Sequence, residues 1–296
     1  MKQQLISRRT VLTACAGMTT LVASSPVAFS QTSQSEILRD GKITIGIHNQ
    51  APWGFKTMDG NVAGVHPDMI KAVLGPLGIK KVNFVIVEWP ALIPSLMSKR
   101  IDAVASGMAI TPVRCDQVIF SDPDLAIGDG AIVRAGNPHK IRSFEDIVKN
   151  ERLRIGAGRG STNAEHAMQA GIPKDRVLLF EDMQSSIAAL AAGRIDADIE
   201  STATVISTVN DPNLKGKIER AIPFTGLIKD GREVRNFAGI AFRAEDSQLR
   251  DLYNLGLAKA KLDGTVKAIF ARYGFTDAEI APADATAKNL CPDNYR

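Results

Sequence analysis

Lys99-Arg100-Ile101-Asp102-Ala103-Val104 and Gly193-Arg194-Ile195-Asp196-Ala197-Asp198 decide the fold. Each puts a basic residue and Ile-Asp-Ala directly after a stretch of helical pattern. In the first case that stretch is residues 91–98, apolar at Leu92, Ile93 and Leu96; in the second it is residues 185–192. Ile101-Asp102-Ala103-Val104-Ala105 reads as a buried type of strand. Outward from it, Lys42–Ile47 reads as a strand ending in the polar, Pro-containing loop 48–55, and Asp59-Gly60-Asn61 as a turn. Residues 67–77 are helical in pattern and residues 82–87 form a short apolar strand. The order β-α-β-α-β predicts a parallel, helix-covered sheet. The second copy repeats this more weakly: a strand at 153–157, the turn Gly158-Arg159-Gly160-Ser161-Thr162, a helix at 163–170 and a strand at Val177–Phe180. A strand near 237–243 and helices at Ser247–Leu262 and 264–273 complete the chain. Two similar αβ units in one chain predict two lobes of one α/β architecture.

The first 30 residues have a different character. They carry Lys2, Arg8 and Arg9, no acidic residue, a mostly apolar run at 11–23, and small residues flanking Phe29 in Ala28-Phe29-Ser30. This is the pattern of a signal peptide cleaved after about Ser30. Ser7-Arg8-Arg9-Thr10-Val11-Leu12 resembles a twin-arginine signal, the alternative being two arginines in an ordinary secretion signal. Leu12-Thr13-Ala14-Cys15 resembles a lipoprotein box, but cleavage there would leave an apolar stretch too short to act as one, so Cys15 is read as part of the discarded peptide. Loss of three positive charges takes the net charge from +4 to about +1. No basic cluster with interleaved aromatics remains, which argues against a nucleic-acid partner. Cys115 and Cys291 are left; they allow one bridge or two separate thiols. The four histidines are scattered and form no metal set; His48 reads as a polar loop residue and His66 as part of a helix start.

Several ordered motifs carry a family likeness. They are Leu92-Ile93-Pro94-Ser95-Leu96, Arg100-Ile101-Asp102-Ala103, Ile110-Thr111-Pro112-Val113-Arg114, Gly160-Ser161-Thr162, Phe242-Arg243-Ala244-Glu245-Asp246 and Asp263-Gly264-Thr265 to Tyr273-Gly274-Phe275. Over residues 41–276 the chain resembles the family 3 periplasmic solute-binding proteins of ABC importers. Ala51-Pro52-Trp53-Gly54-Phe55, the run Gly107-Met108-Ala109-Ile110 to Cys115, Ala170-Gly171-Ile172-Pro173, Pro223-Phe224-Thr225 and Gly274-Phe275-Thr276 are most similar to the ectoine and hydroxyectoine binders. The resemblance implies a two-lobed type II clamp. Lobe 1 is residues 41–133 plus 237–290, lobe 2 is 138–233, and two strands near 131–136 and 236–241 cross between them as the hinge. It also implies a monomer that serves a membrane permease, needs no cofactor and catalyses nothing. With both cysteines in lobe 1, it favours a Cys115–Cys291 bridge.

The same likeness assigns the cleft. Arg114 grips a ligand carboxylate, as a guanidinium fork suits one. Ser161 and Thr162 meet the same anion at a helix N-terminus, the plain alternative being helix capping by Thr162 or Asn163. Trp53 and Trp89 flank a cationic body, with Gly107 and Ala109 beside them. Amino-acid binders hold the α-ammonium with an aspartate where this chain has Ser201, preceded by Glu200. The third ring of an ectoine cage is replaced by Ala109, and the acid before Ala-Pro by Gln50. These departures point away from a standard α-amino acid and toward an ectoine-like solute, an amino-acid derivative, an opine-like compound or a betaine. An enzyme on the same clamp, dehydratase-like with Glu200 as its acid or base, and a periplasmic sensor module are the alternatives.

Overall fold

The computed structural model describes residues 34–295. The expected signal peptide lies outside them. Along the chain, β1 (Lys42–Ile47) leads through α1 (Val65–Leu74) to β2 (Lys81–Ile86) and through α2 (Leu92–Met97) to β3 (Ala103–Val104). A short helix, α3 (Pro112–Cys115), precedes β4 (Ile119–Phe120) and β5 (Leu125–Ile127). The chain then runs through β6 (Asp129–Arg134), β7 (Ile155–Gly158), α4 (Thr162–Gln169), β8 (Val177–Phe180), α5 (Met183–Ala191), β9 (Ala197–Ser201), α6 (Thr202–Val209) and β10 (Ile218–Arg220). It returns by β11 (Asn236–Ala238) and β12 (Ala241–Phe242) to α7 (Ser247–Leu262) and α8 (Thr265–Arg272).

Two five-stranded sheets result, in the orders β2-β1-β3-β12-β4 and β8-β7-β9-β6-β10. Within each, three strands are parallel and the strand beside the Ile-Asp-Ala unit is antiparallel to it. This defines the two-lobed α/β clamp.

The repeat that opened the sequence is built identically in both lobes. Ile101 fills the space over Gly46, and Ile195 the space over Gly156; a Cβ on either glycine would lie within 2.5 Å of the isoleucine Cδ1. Asp102 accepts the Thr44 amide at 2.9 Å, and Asp196 the Arg154 amide at 3.0 Å. An arginine at the end of the antiparallel strand (Arg134) or directly after it (Arg243) then closes each unit. Arg243 Nη1 donates to the Leu96 and Ile101 carbonyls, as Arg134 Nη1 does to the Leu190 and Ile195 carbonyls. Their second nitrogens reach Asp102 and Asp196. The aspartate of the motif thus ties the neighbouring parallel strand to the arginine that holds a helix C-terminus.

The crossings sit side by side. β5 and β11 form an antiparallel pair, with Ile127 opposite Asn236 and Leu125 opposite Ala238. Beyond Gly128 the chain enters the second sheet, and beyond Ile240 the first. The expected first crossing at 131–136 falls within β6 of the second sheet, where Ala131, Ile132 and Val133 are fully buried. The first segment of lobe 1 therefore ends near residue 128 rather than 133. The single strand expected at 237–243 is broken at Gly239, whose missing Cβ would press on Ser121 Oγ at 3.0 Å. Cys115 and Cys291 are joined by a disulfide.

Candidate functional site

The cleft between the sheets encloses about 850 Å3 of non-atom space, its solvent-open mouth included, which is ligand-sized. All ten residues assigned from the sequence line it: Gln50, Trp53, Trp89, Gly107, Ala109 and Arg114 from the first lobe, Ser161, Thr162, Glu200 and Ser201 from the second.

Arg114 is placed by a local device. Thr111 caps α3 by accepting the Arg114 amide, and Pro112 opens the helix where no amide donor is required. The guanidinium is buried. Its Nη1 donates to the Ala109 carbonyl at 2.8 Å and its Nη2 crosses the cleft to the Gly160 carbonyl at 3.0 Å. Burial holds it below its ordinary pKa, partly offset by Glu165, yet an arginine starts so high that it stays charged. Among the described residues no carboxylate lies within 4.0 Å of it. Trp89 stacks over this same guanidinium at 5.6 Å and donates its indole N–H to Gly160 at 3.2 Å. The cation expected on Trp89 is therefore supplied by the protein itself.

Trp53 is more buried than its loop position suggested. One face packs on Gly107, where a Cβ would stand 2.5 Å from the ring and where φ is +72°. Its indole N–H donates across the cleft to Thr204 Oγ1 at 2.9 Å. Gly107 is held in turn by His66, whose Nδ1 accepts the Gly107 amide at 2.7 Å. That contact leaves Nε2–H to donate to Asp124 at 3.2 Å. The second lobe has a counterpart. Asp129 accepts from Asn163 at 2.6 Å and pairs with His166 at 2.9 Å, fixing the cleft-lining Asn163. Asp124 precedes β5 and Asp129 opens β6, so both supports stand at the crossing.

Capping in the second lobe differs from the expectation. Ser161 itself is the N-cap of α4, accepting the Ala164 amide at 3.2 Å, and Thr162 is the first helical residue. Ser201 likewise caps α6 and bonds Thr204 Oγ1 at 2.8 Å. Both hydroxyls are committed to their helices, while the helix ends still face the cleft.

Glu200 lines the cleft, as does Gln50 from the opposite lobe. Burial, and then the charge of Asp198 beneath it, push its carboxyl well above the usual range; the Gln50 side chain opposes this. Asp198 is fully buried and bonded by Ser186, and burial raises it to about 6. His48, read from the sequence as a polar loop residue, lines the cleft, as do residues the sequence did not single out, among them Arg159, Phe180, Asp182, Ser186 and Asn236. Burial keeps His48 below its ordinary pKa, against the pull of Glu88 and Asp182. Asp182 was legible as an N-cap signal before a helix, and it does cap α5.

Two α/β lobes joined by a pair of strands and tied across a polar cleft define a ligand-capturing clamp. The chain belongs to the bacterial extracellular solute-binding proteins, family 3, whose family model matches residues 43–276. It is 33% identical over 259 residues to a probable amino-acid ABC transporter periplasmic-binding protein, y4tE, of Sinorhizobium fredii, covering 86% of this chain and 85% of that one. The crystal structure of EhuB in complex with hydroxyectoine superposes with a TM-score of 0.74 at 32% identity, over 88% of this chain and 98% of EhuB. The ancestral amino acid-binding protein AncCDT-1, a precursor of cyclohexadienyl dehydratase, gives a TM-score of 0.70 at 28% identity, over 82% of this chain and 99% of that one. Among the described residues no helix is long and apolar enough to cross a membrane.

Proposed function

We propose that this chain is the extracytoplasmic substrate-binding subunit of an ABC importer, exported by its first 30 residues. It captures a small carboxylated, zwitterionic solute by hinge closure and delivers it to a membrane permease. The observation that carries the reading is Arg114, a buried cation lining the cleft with no carboxylate within 4.0 Å among the described residues. Its two bonds to carbonyl oxygens orient the fork without neutralising it, which is the state that favours an incoming carboxylate. Opposite in character, Glu200, Asp182 and Gln50 offer acceptors for a cationic group, and Trp53 an apolar wall. Ligands of this kind include ectoine-like solutes, amino-acid derivatives and opine-like compounds; likeness to EhuB supports the first.

A thermal-shift screen of compatible solutes, amino acids, betaines and opines on the mature protein tests this. A ligand at 100 times its dissociation constant adds about 2.7 kcal/mol of stability. Arg114→Ala is expected to abolish the shift; a carboxylated ligand that binds this variant as well as the wild type would overturn the assignment. The raised carboxyl of Glu200 is what an enzyme on the same clamp would use as its acid. Recovery of chemically unchanged ligand from the complex speaks for capture, and turnover lost in Glu200→Gln for catalysis.

A further inference from the structure

We propose that Asp198 and Glu200 form an acidic subsite that holds one proton before ligand arrives and takes a cationic group of the ligand by releasing that proton. This rests on the reading of the cleft as a zwitterion site.

The geometry comes first. The two residues are two positions apart on β9 and share one face of it. Glu200 lines the cleft, and Asp198 lies beneath it against Ser186, which also lines the cleft. Counting from the Ile-Asp-Ala repeat, the matching positions of the first lobe are Val104 and Ser106. Val104 is an apolar core residue. Asp198 therefore puts an ionisable group where the same architecture elsewhere in this molecule uses a hydrocarbon. Its Oδ2 has no hydrogen-bond partner among the described residues. Nor does a cation lie within 4.0 Å of either carboxyl among them. Burying an unpaired charge this way costs several kcal/mol in general, so the fold alone gives no reason for it.

The groups around the pair do not relieve it. Asp182, which caps α5, and Ser186 within it bring no positive charge. After β8 comes Glu181, already paired with Arg159. β7 contributes Gly156 and Gly158, which bring no charge and leave the pair its space: a Cβ on Gly156 would stand 2.9 Å from Asp198 Oδ1. The first lobe sends Gln50 and His48, the latter kept neutral by burial. Arg114 lines the same cleft with its guanidinium turned to Ala109 and Gly160. Two carboxylates on one face of a strand, with no cation, disfavour each other's ionisation in a low dielectric. Burial raises both, in keeping with one retained proton near neutral pH.

An ammonium, amidinium or guanidinium set against Glu200 removes the reason for that proton. The proton passes to solvent, the pair becomes doubly negative, and the ligand's positive charge replaces the proton's. The subsite therefore selects a carboxylate that also carries a compact cation. Binding strengthens as pH rises through the pair's titration, and below it affinity falls by up to about tenfold per pH unit.

Infrared titration of the full chain reads the proton without any ligand. A protonated-carboxyl signal at about pH 6 that is lost in Glu200→Gln and diminished in Asp198→Asn is expected; its absence from the wild type overturns the proposal. Calorimetry with L-arginine and with hydroxyectoine, in two buffers of different ionisation enthalpy, reads the exchange. About one proton released by the wild type and none by Glu200→Gln supports the subsite, provided thermal unfolding shows the variant folded. Binding of either probe with no buffer dependence overturns the subsite and leaves capture standing. Failure of every carboxylated cation in the thermal-shift screen overturns the capture reading, and the subsite's ligand with it.

Discussion

Replacing Thr204 by valine tests how the clamp is held shut. The indole N–H of Trp53 crosses from the first lobe to Thr204 Oγ1 at 2.9 Å, in a buried setting. Valine keeps the shape of threonine and removes the acceptor. On closure the N–H would then lose water and gain nothing, at a cost of about 1–3 kcal/mol, whereas in an opened clamp water hydrates it. The penalty falls on closure alone and so appears in ligand affinity, raising Kd by about 5- to 150-fold. The cap of α6 survives, since Ser201 Oγ still accepts the Thr204 amide at 3.2 Å. Trp53→Phe deletes the donor instead. Thr204 keeps its bond to Ser201, so this variant forfeits about 0.5–1.5 kcal/mol for the bond itself. In the double variant no unpaired indole N–H remains, and its affinity should lie closer to Trp53→Phe than to the sum of the two changes. Calorimetry on the four proteins, with Thr204→Ser as a control that retains the hydroxyl, measures this. Thr204→Val binding within about twofold of wild type, or strictly additive singles, would refute the reasoning.

Arg114→Lys is expected to lose nearly as much affinity as Arg114→Ala, because an ammonium cannot hold Ala109, Gly160 and a ligand carboxylate in one plane. Titration calorimetry showing lysine rescue would contradict it. Gly107→Ala combines a left-handed backbone, worth about 1–2 kcal/mol, with a methyl 2.5 Å from the Trp53 ring, so thermal unfolding should drop by at least about 4 °C. Reducing the Cys115–Cys291 bridge, which spans 176 positions, should cost about 2–5 kcal/mol, read as a Tm loss on adding reductant that the double serine variant does not show. The raised carboxyls of Asp198 and Glu200 make the native state bind more protons than the unfolded chain above about pH 4. Their contribution to stability therefore falls as pH rises toward and past about 6. Asp198→Asn should accordingly raise Tm at about pH 7.5 and leave it unchanged at about pH 4; a uniform shift would falsify the linkage.

The lobes were legible because a helix-then-Ile-Asp-Ala unit must bury the same isoleucine on the same sheet wherever it occurs. Ile101 over Gly46 and Ile195 over Gly156 show that demand met twice. What could not be read locally was where the chain changes sheets. The run 125–134 is apolar nearly throughout, and a strand buried on both faces looks alike in either lobe. Only its partners, β11 for Leu125–Ile127 and β9 for Asp129–Arg134, decide the boundary. The cleft divides in the same way. Arg114 and the helix start at Ser161 were named through the family likeness, carried by the short motifs Ile110-Thr111-Pro112-Val113-Arg114 and Gly160-Ser161-Thr162. The partner of the Trp53 indole, 151 positions away, had no local signal, and neither did the burial of Asp198 beneath Glu200.

Gly160 connects these observations. Its carbonyl accepts both the Arg114 guanidinium and the Trp89 indole, two groups of the first lobe on one atom of the second. A guanidinium held this way carries an orientation that exists only while the lobes are together, since its other bond, to Ala109, leaves it free to swing in an open clamp. A carboxylate needing the fork in that orientation would bind the closed state better than the open one, and differential affinity is the only way a ligand can drive closure. The stacked Trp89 ring strengthens this coupling by keeping water from the charged plane. On the proposed reading capture and closure are one equilibrium, with Arg114, proposed to recognise the anion, also serving as the latch.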